Sequence, residues 1–156
     1  MDCIFCAMLA GQAPMHLIWQ DEGHVAFLSI RPNTPGFSVV VPRQHHGSYA
    51  FAQSDEVLSA LVIAANKVAL LIDRALPGGG RTGLMLEGYG IDHLHAKLFP
   101  MHGTGDSSAF KPLASNVDKF FERYEGYISS HDFKGELNHD LAAMARHIRQ
   151  VGGAKN

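Results

Sequence analysis

Cysteine is scarce in this sequence: Cys3 and Cys6 are the whole supply in 156 residues. Two thiols three positions apart cannot frame a disulfide-stapled fold, so the cytoplasm is the expected location. No stretch approaches the ~20 apolar residues that cross a bilayer, and no membrane partner is expected. The opening MDCIFCAMLAGQ has neither a basic leader nor a long apolar run, so a secretion signal is not expected. Excess charge is missing too. A formal net charge of −2 argues against a broad basic surface for nucleic acid, while leaving room for a local anion site built from few groups. Repeats and long linkers are absent, and the length suits a single domain over 1–156 with a real core.

Histidine, by contrast, is plentiful, with ten in the chain. The stretch DHLHAKLFPMH (92–102) sets His93, His95 and Lys97 at alternate positions, with Leu94, Ala96 and Leu98 between and after them. On a strand, that spacing lines up two imidazoles and an ammonium on one face and an apolar row on the other. A pair of satisfied histidines on a half-buried strand is the plain reading. Grouping them with a lysine is electrostatically unfavourable unless a ligand joins them, which is the functional reading.

The surrounding chain alternates strand and helix signals. HVAFLSI (24–30) and GFSVVVPR (36–43) are rich in β-branched and aromatic residues, and PNTPG between them marks a turn, so the two are expected to pair antiparallel. Ser54 is positioned to cap a helix that carries Asp55 and Glu56 in its first turn. Leu58, Leu61, Val62, Ala65, Val68, Ala69 and Ile72 form its apolar stripe, and Pro77-Gly78-Gly79-Gly80 ends it. RTGLMLEG (81–88) and DHLHAKLFP (92–100) read as two more strands, and the segment from 103 to 116 as a loop. A last helix places Leu137, Leu141, Met144, Ile148 and Val151 on one side, and Gly152-Gly153 stops it. Antiparallel strands with a long helix packed on one face and a C-terminal helix give an α+β fold class.

His93-Leu94-His95-Ala96-Lys97-Leu98-Phe99 resembles the signature of the histidine-triad (HIT) family, His-φ-His-φ-His-φ-φ with φ apolar. CIFCAMLAGQAP (3–14) is similar to that family's opening segment, and AFLSIRPNTPGFSVVVPRQH (26–45) to its first long hairpin. The resemblance spans about 3–105, with 106–156 as a C-terminal extension. It implies a HIT-like fold, a nucleotide substrate, a homodimer whose sheets join, and cleavage through a histidine-bound nucleotidyl intermediate. The middle histidine, His95, is then the nucleophile, and no metal is required for that step.

Three departures accompany the match. Lys97 replaces the third histidine, as in a bacterial subgroup with His-x-His-x-Lys, and it suits charge stabilisation better than proton relay. Ser29 stands where many members carry a ribose-binding acid. Leu86-Glu87-Gly88-Tyr89-Gly90-Ile91-Asp92 replaces the usual phosphate loop. The implied activity is hydrolysis at the α-phosphorus of a nucleoside phosphoramidate, dinucleoside polyphosphate or related nucleotide. The alternatives are a nucleotidyltransferase of the same superfamily and a nucleotide sensor without turnover.

The resemblance also implies a ligand set. Bacterial members with a Cys-x-x-Cys opening hold a structural zinc, and the matching positions are Cys3, Cys6, His45 and His93, with His46 as a neighbour able to replace His45. Buried free thiols are the other reading of the cysteines. Arg43 is read as a phosphate contact or a solvated arginine, Asn33 as a ribose contact or a turn former, and His102 as a pocket residue. The tail YEGYISSHD (124–132) is read as a cover for the site or as simple packing, and His16, His24, His139 and His147 as surface residues.

Overall fold

Ser38 to Pro42, SVVVP, is buried at all five positions, which a strand attains only when both faces of its sheet are covered. The computed structural model describes residues 3–78, 80–105, 120, 122–123 and 140–153. In chain order these form α1 (Ile4–Leu9), β1 (His16–Gln20), β2 (His24–Leu28), β3 (Ser38–Pro42), α2 (Asp55–Ala75), β4 (Arg81–Met85), β5 (Ala96–Met101) and α3 (Leu141–Val151). A 3-10 turn at Ala50–Ala52 precedes α2. The sheet runs β1-β2-β3-β5-β4 with every neighbour antiparallel, an α+β arrangement. No described helix is long and apolar enough to cross a membrane.

The two faces of β3 explain its burial. Val40 joins Leu61, Ala65, Val68 and Ile72 of α2 in the larger core, together with Ala145 and Ile148 of α3. Val39 and Val41 point the other way, into a smaller cluster around Phe5 of α1 and Phe27 of β2. Ser54 Oγ accepts from Val57 N–H at 3.4 Å, and Asp55 and Glu56 stand in the first turn, as the sequence predicts for α2. The loop into β3 passes close beside the end of that helix. At Gly36 (φ +82°) a Cβ would lie 2.3 Å from Leu76 Cδ1, so only glycine fits both the turn and the contact.

Several expectations need correction. β4 stops at Met85 and β5 starts at Ala96, so His93 and His95 precede the strand that was expected to carry them. The reason is local: Leu94 N–H donates to His46 O at 2.8 Å and His93 N–H to Ile91 O at 2.9 Å, bonds outside the β3–β5 ladder. The alternation survives without the strand. Leu94, Ala96 and Leu98 enter the α2 core, while His93 and His95 meet Phe5 on the opposite face.

On α2, Val62 is exposed, whereas Ala64, Leu71 and Ala75 are buried, because α3 widens the covered face. The last helix begins at Leu141, after Asp140, whose side chain accepts from Ala143 N–H at 2.9 Å; Leu137 lies outside the described residues. Val151, at the end of the expected stripe, is 40% exposed, whereas Ile148 is fully buried. Ile148→Ala is accordingly expected to lower the free energy of unfolding by about 2–5 kcal/mol. Val151→Ala should lower it by less than ~1 kcal/mol. Urea denaturation of both variants checks the pair, and equal losses would contradict this packing of α3.

Candidate active site and a four-donor cluster

Phe5 is the floor on which the histidines rest. Its ring meets that of His95 edge-on at 5.4 Å and that of His93 at 5.8 Å. His95 is almost fully buried, yet it reaches the wall of a cleft of about 810 Å³ that Ser29, Glu87 and Lys97 also line. His95 Nδ1–H donates to the carbonyl of His93 at 2.6 Å. A carbonyl only accepts, so Nδ1 carries the proton and Nε2 of the neutral ring keeps its lone pair. Burial pushes the His95 imidazole below its ordinary range and the Lys97 ammonium adds to that, with the His93 carbonyl and Glu87 opposing. The neutral, nucleophilic form of the ring is thereby favoured.

Lys97 sits two residues on, opposite Met85 of β4 and Val39 of β3. Its Nζ is bonded to Glu87 Oε1, and side-chain exposure is only 14% and 11% for the two partners. Leu86 is packed against the larger core just before Glu87. Gly88 follows at φ +68°, where a Cβ would fall 2.5 Å from Ser48 O. The chain is thus fixed on both sides of the carboxylate.

His93 faces a second constellation. Its Nε2–H donates to Pro42 O at 2.9 Å, which leaves the Nδ1 lone pair toward the thiols. Cys3 Sγ lies 3.4 Å and Cys6 Sγ 3.6 Å from that nitrogen, and Cys6 Sγ lies 3.4 Å from His45 Nδ1. One ligand atom from each of Cys3, Cys6, His45 and His93 falls within 4.8 Å of every other. For Zn–S near 2.3 Å and Zn–N near 2.0–2.1 Å, a tetrahedral site has S···N edges of about 3.6 Å. The donors fit. Desolvation, then the neighbouring Cys3, raises the Cys6 thiol.

Residues 10–102 match the HIT domain, 93 positions in sequence order that include both hairpins and the histidine segment. The chain belongs to the HIT family. A relative called Protein hit, from Bacillus subtilis, is 34% identical over 110 residues, covering 67% of this chain and 74% of that protein. An uncharacterized HIT-like protein of Borreliella burgdorferi is 38% identical over 130 residues, covering 78% and 92%. A solved Zn-bound histidine triad family protein from Mycobacterium smegmatis superposes with a TM-score of 0.70 at 20% identity, covering 97% of this chain and 93% of that one. At that identity the superposition shows a shared HIT fold.

The other expected site residues of this HIT chain divide sharply. Ser29 lines the cleft, with its Oγ accepting from Arg31 N–H at 3.1 Å. Arg43 does not line it: the guanidinium bonds Gln20 Oε1 at 2.7 Å and Asp21 O at 3.0 Å, tying β3 to the β1–β2 turn. His102 is turned away as well, bonded through Nε2 to Pro35 O at 2.8 Å. Asn33 lies in the loop after β2, outside the cleft lining, with Oδ1 buried and without a partner among the described residues.

His16, read as a surface residue, lies on β1 and lines the cleft, as do Met15 and Ile30. The missed signal was the short HLIWQ strand that carries it. His147 is exposed, as read from the sequence, and its ring is bonded through Nε2 to Ala75 O at 2.7 Å, fastening α3 to α2. The tail 124–132 and His139 lie outside the described residues.

Because Lys97 and Glu87 are buried together, removing one charge strands the other. Lys97→Met is expected to destabilise the fold by about 1–3 kcal/mol, with most of the loss recovered in Lys97→Met/Glu87→Leu. Chemical denaturation of the single and double variants checks this. Additive losses would show that the pair is not coupled.

Proposed function

We propose that this chain is a nucleotide hydrolase in which His95 Nε2 attacks the α-phosphorus of a nucleoside 5′-phosphoramidate, dinucleoside polyphosphate or related nucleotide. The bond to the leaving group breaks as the nitrogen–phosphorus bond forms, and water then releases a nucleoside monophosphate. One observation carries the reading: the 2.6 Å bond from His95 Nδ1–H to the His93 carbonyl, which leaves a lone pair on the other nitrogen of a ring that lines the cleft. Lys97, the third position of the His-x-His-x-Lys pattern, stabilises the phosphoryl charge, and His93 orients the nucleophile through its carbonyl. Ser29 stands on the nucleoside side with Met15 and Ile30.

In this reading Cys3, Cys6, His45 and His93 hold a structural zinc. Four protein ligands leave no position for a reacting water, so its chemistry is to fasten α1 to the segment entering β5. The working unit is a homodimer, a reading supported by Val62, Ile63 and Leu70, which stand exposed and apolar on α2.

Monophosphate release from adenosine phosphoramidate, diadenosine polyphosphates and nucleotide sugars tests the activity. His95→Ala is expected to lose at least ~10³-fold in kcat/KM. Product formed only when inorganic phosphate or a sugar phosphate is added would favour a transferase, and nucleotide binding without product would favour a sensor. The nucleophile must be neutral and its pKa is lowered, so activity is retained as pH drops past the ordinary imidazole value of 6.5 and is lost only below it. An acid limb of kcat/KM at or above 6.5 would contradict the role of His95.

Metal analysis of the purified chain is expected to give about one zinc per chain. Cys3→Ser, Cys6→Ser and His45→Ala should lose it and His46→Ala should keep it. A chelator should lower the Tm of the wild type but not that of Cys3→Ser. Retention of metal in His45→Ala would break the proposed ligand set.

A further inference from the structure

The wall of the cleft beside His95 carries a carboxylate that the reaction above does not use. Among the described cleft-lining residues the charged side chains are Arg31, Glu87 and Lys97. Arg31 is exposed, so solvent and salt screen it. Lys97 and Glu87 are both largely buried and bonded to one another, so their charges cancel at the end of the cleft where His95 stands. Lys97 has three N–H donors and commits one to Glu87, leaving two for an incoming anion. The carboxylate cannot simply swing aside with its loop. Leu86 is anchored in the core on one side, and on the other Gly88 lies against Ser48, whose N–H is held by Asp92 Oδ1 at 2.9 Å.

We propose that Glu87 is a specificity-determining residue that limits the negative charge the site accepts, admitting an α-phosphoryl group at Lys97 and disfavouring ligands that bring further anionic groups beside it. The proposal deepens the nucleotide reading above and rests on it. Lys97 follows His95 by two residues, about 7 Å along an extended chain. A phosphoryl group seated between them is therefore within one phosphate spacing of Glu87. The neighbouring wall of Phe5, Phe27 and Val39 is apolar, so like charges there are poorly screened. A second phosphate meets the carboxylate as a repulsive element, and discrimination by repulsion needs no added attractive contact.

The test uses the full chain as wild type, Glu87→Gln and Glu87→Asp. Glutamine keeps an oxygen acceptor for the Lys97 ammonium and removes the charge, whereas aspartate restores the charge. Thermal melts confirm that all three are folded. Calorimetry then measures binding of the methyl ester of AMP, AMP and ADP, which carry successively more negative charge. In the wild type and Glu87→Asp, affinity is expected to fall along the series. In Glu87→Gln it should rise, changing the ratio of ADP to methyl-ester affinity by at least about tenfold. A ratio that stays within about twofold of wild type overturns the proposal and leaves the nucleotide reading intact. Failure of all three compounds to bind either wild type or Glu87→Gln overturns both.

Discussion

The bonds made by His93 are the constraint on which the site depends. Its Nε2–H is committed to the Pro42 carbonyl at the end of β3, its Nδ1 faces Cys3 and Cys6, and its own carbonyl accepts the proton of His95. One residue thus joins the N-terminal helix, the central strand and the His95 ring. The arrangement works because the ring is buried and each of its nitrogens has a different neighbour, so the tautomer is not free to change. The neutral imidazole gives one donor to the strand and one lone pair to the thiols from opposite sides of a rigid ring.

Around that constraint the electrostatics are economical. Burial lowers the imidazoles of His93 and His95, which favours their neutral forms, and the Lys97 ammonium is paired with the Glu87 carboxylate. A neutral imidazole beside a balanced ion pair is stable without a ligand, and Lys97 retains donors beyond the one given to Glu87. The third triad position therefore differs from an imidazole in more than identity. It brings an ammonium, and with it comes Glu87 from the segment between β4 and β5.

Much of this was legible before any coordinates. The capped, striped α2, the β2–β3 hairpin and the alternation of Leu94, Ala96 and Leu98 against His93, His95 and Lys97 all follow from local periodicity, and the structure bears them out in substance. The ligand set came by resemblance, and Cys3, Cys6, His45 and His93 do converge. Adjacency did not place every candidate at the cleft. Arg43 and His102 follow strand residues that line or flank the cleft, but each is drawn off by a nearby carbonyl or amide that the sequence does not place: Gln20 and Asp21 for one, Pro35 for the other. His16 and Glu87 were passed over for the converse reason, since neither stands in a pattern that marks it.

The sequence by itself determined which residue types were available and how they alternate: the histidine motif, the paired thiols and the helix stripe are written in short-range spacing, because periodicity and motif are local properties. Only the tertiary structure decided which lone pairs and charges meet. The tautomer of His95, the sharing of His93 between strand and thiols, and the partnership of Lys97 with Glu87 each depend on distances between segments that the chain brings together only on folding. Proton placement and charge balance are set by those neighbours and by burial, neither of which the linear order carries.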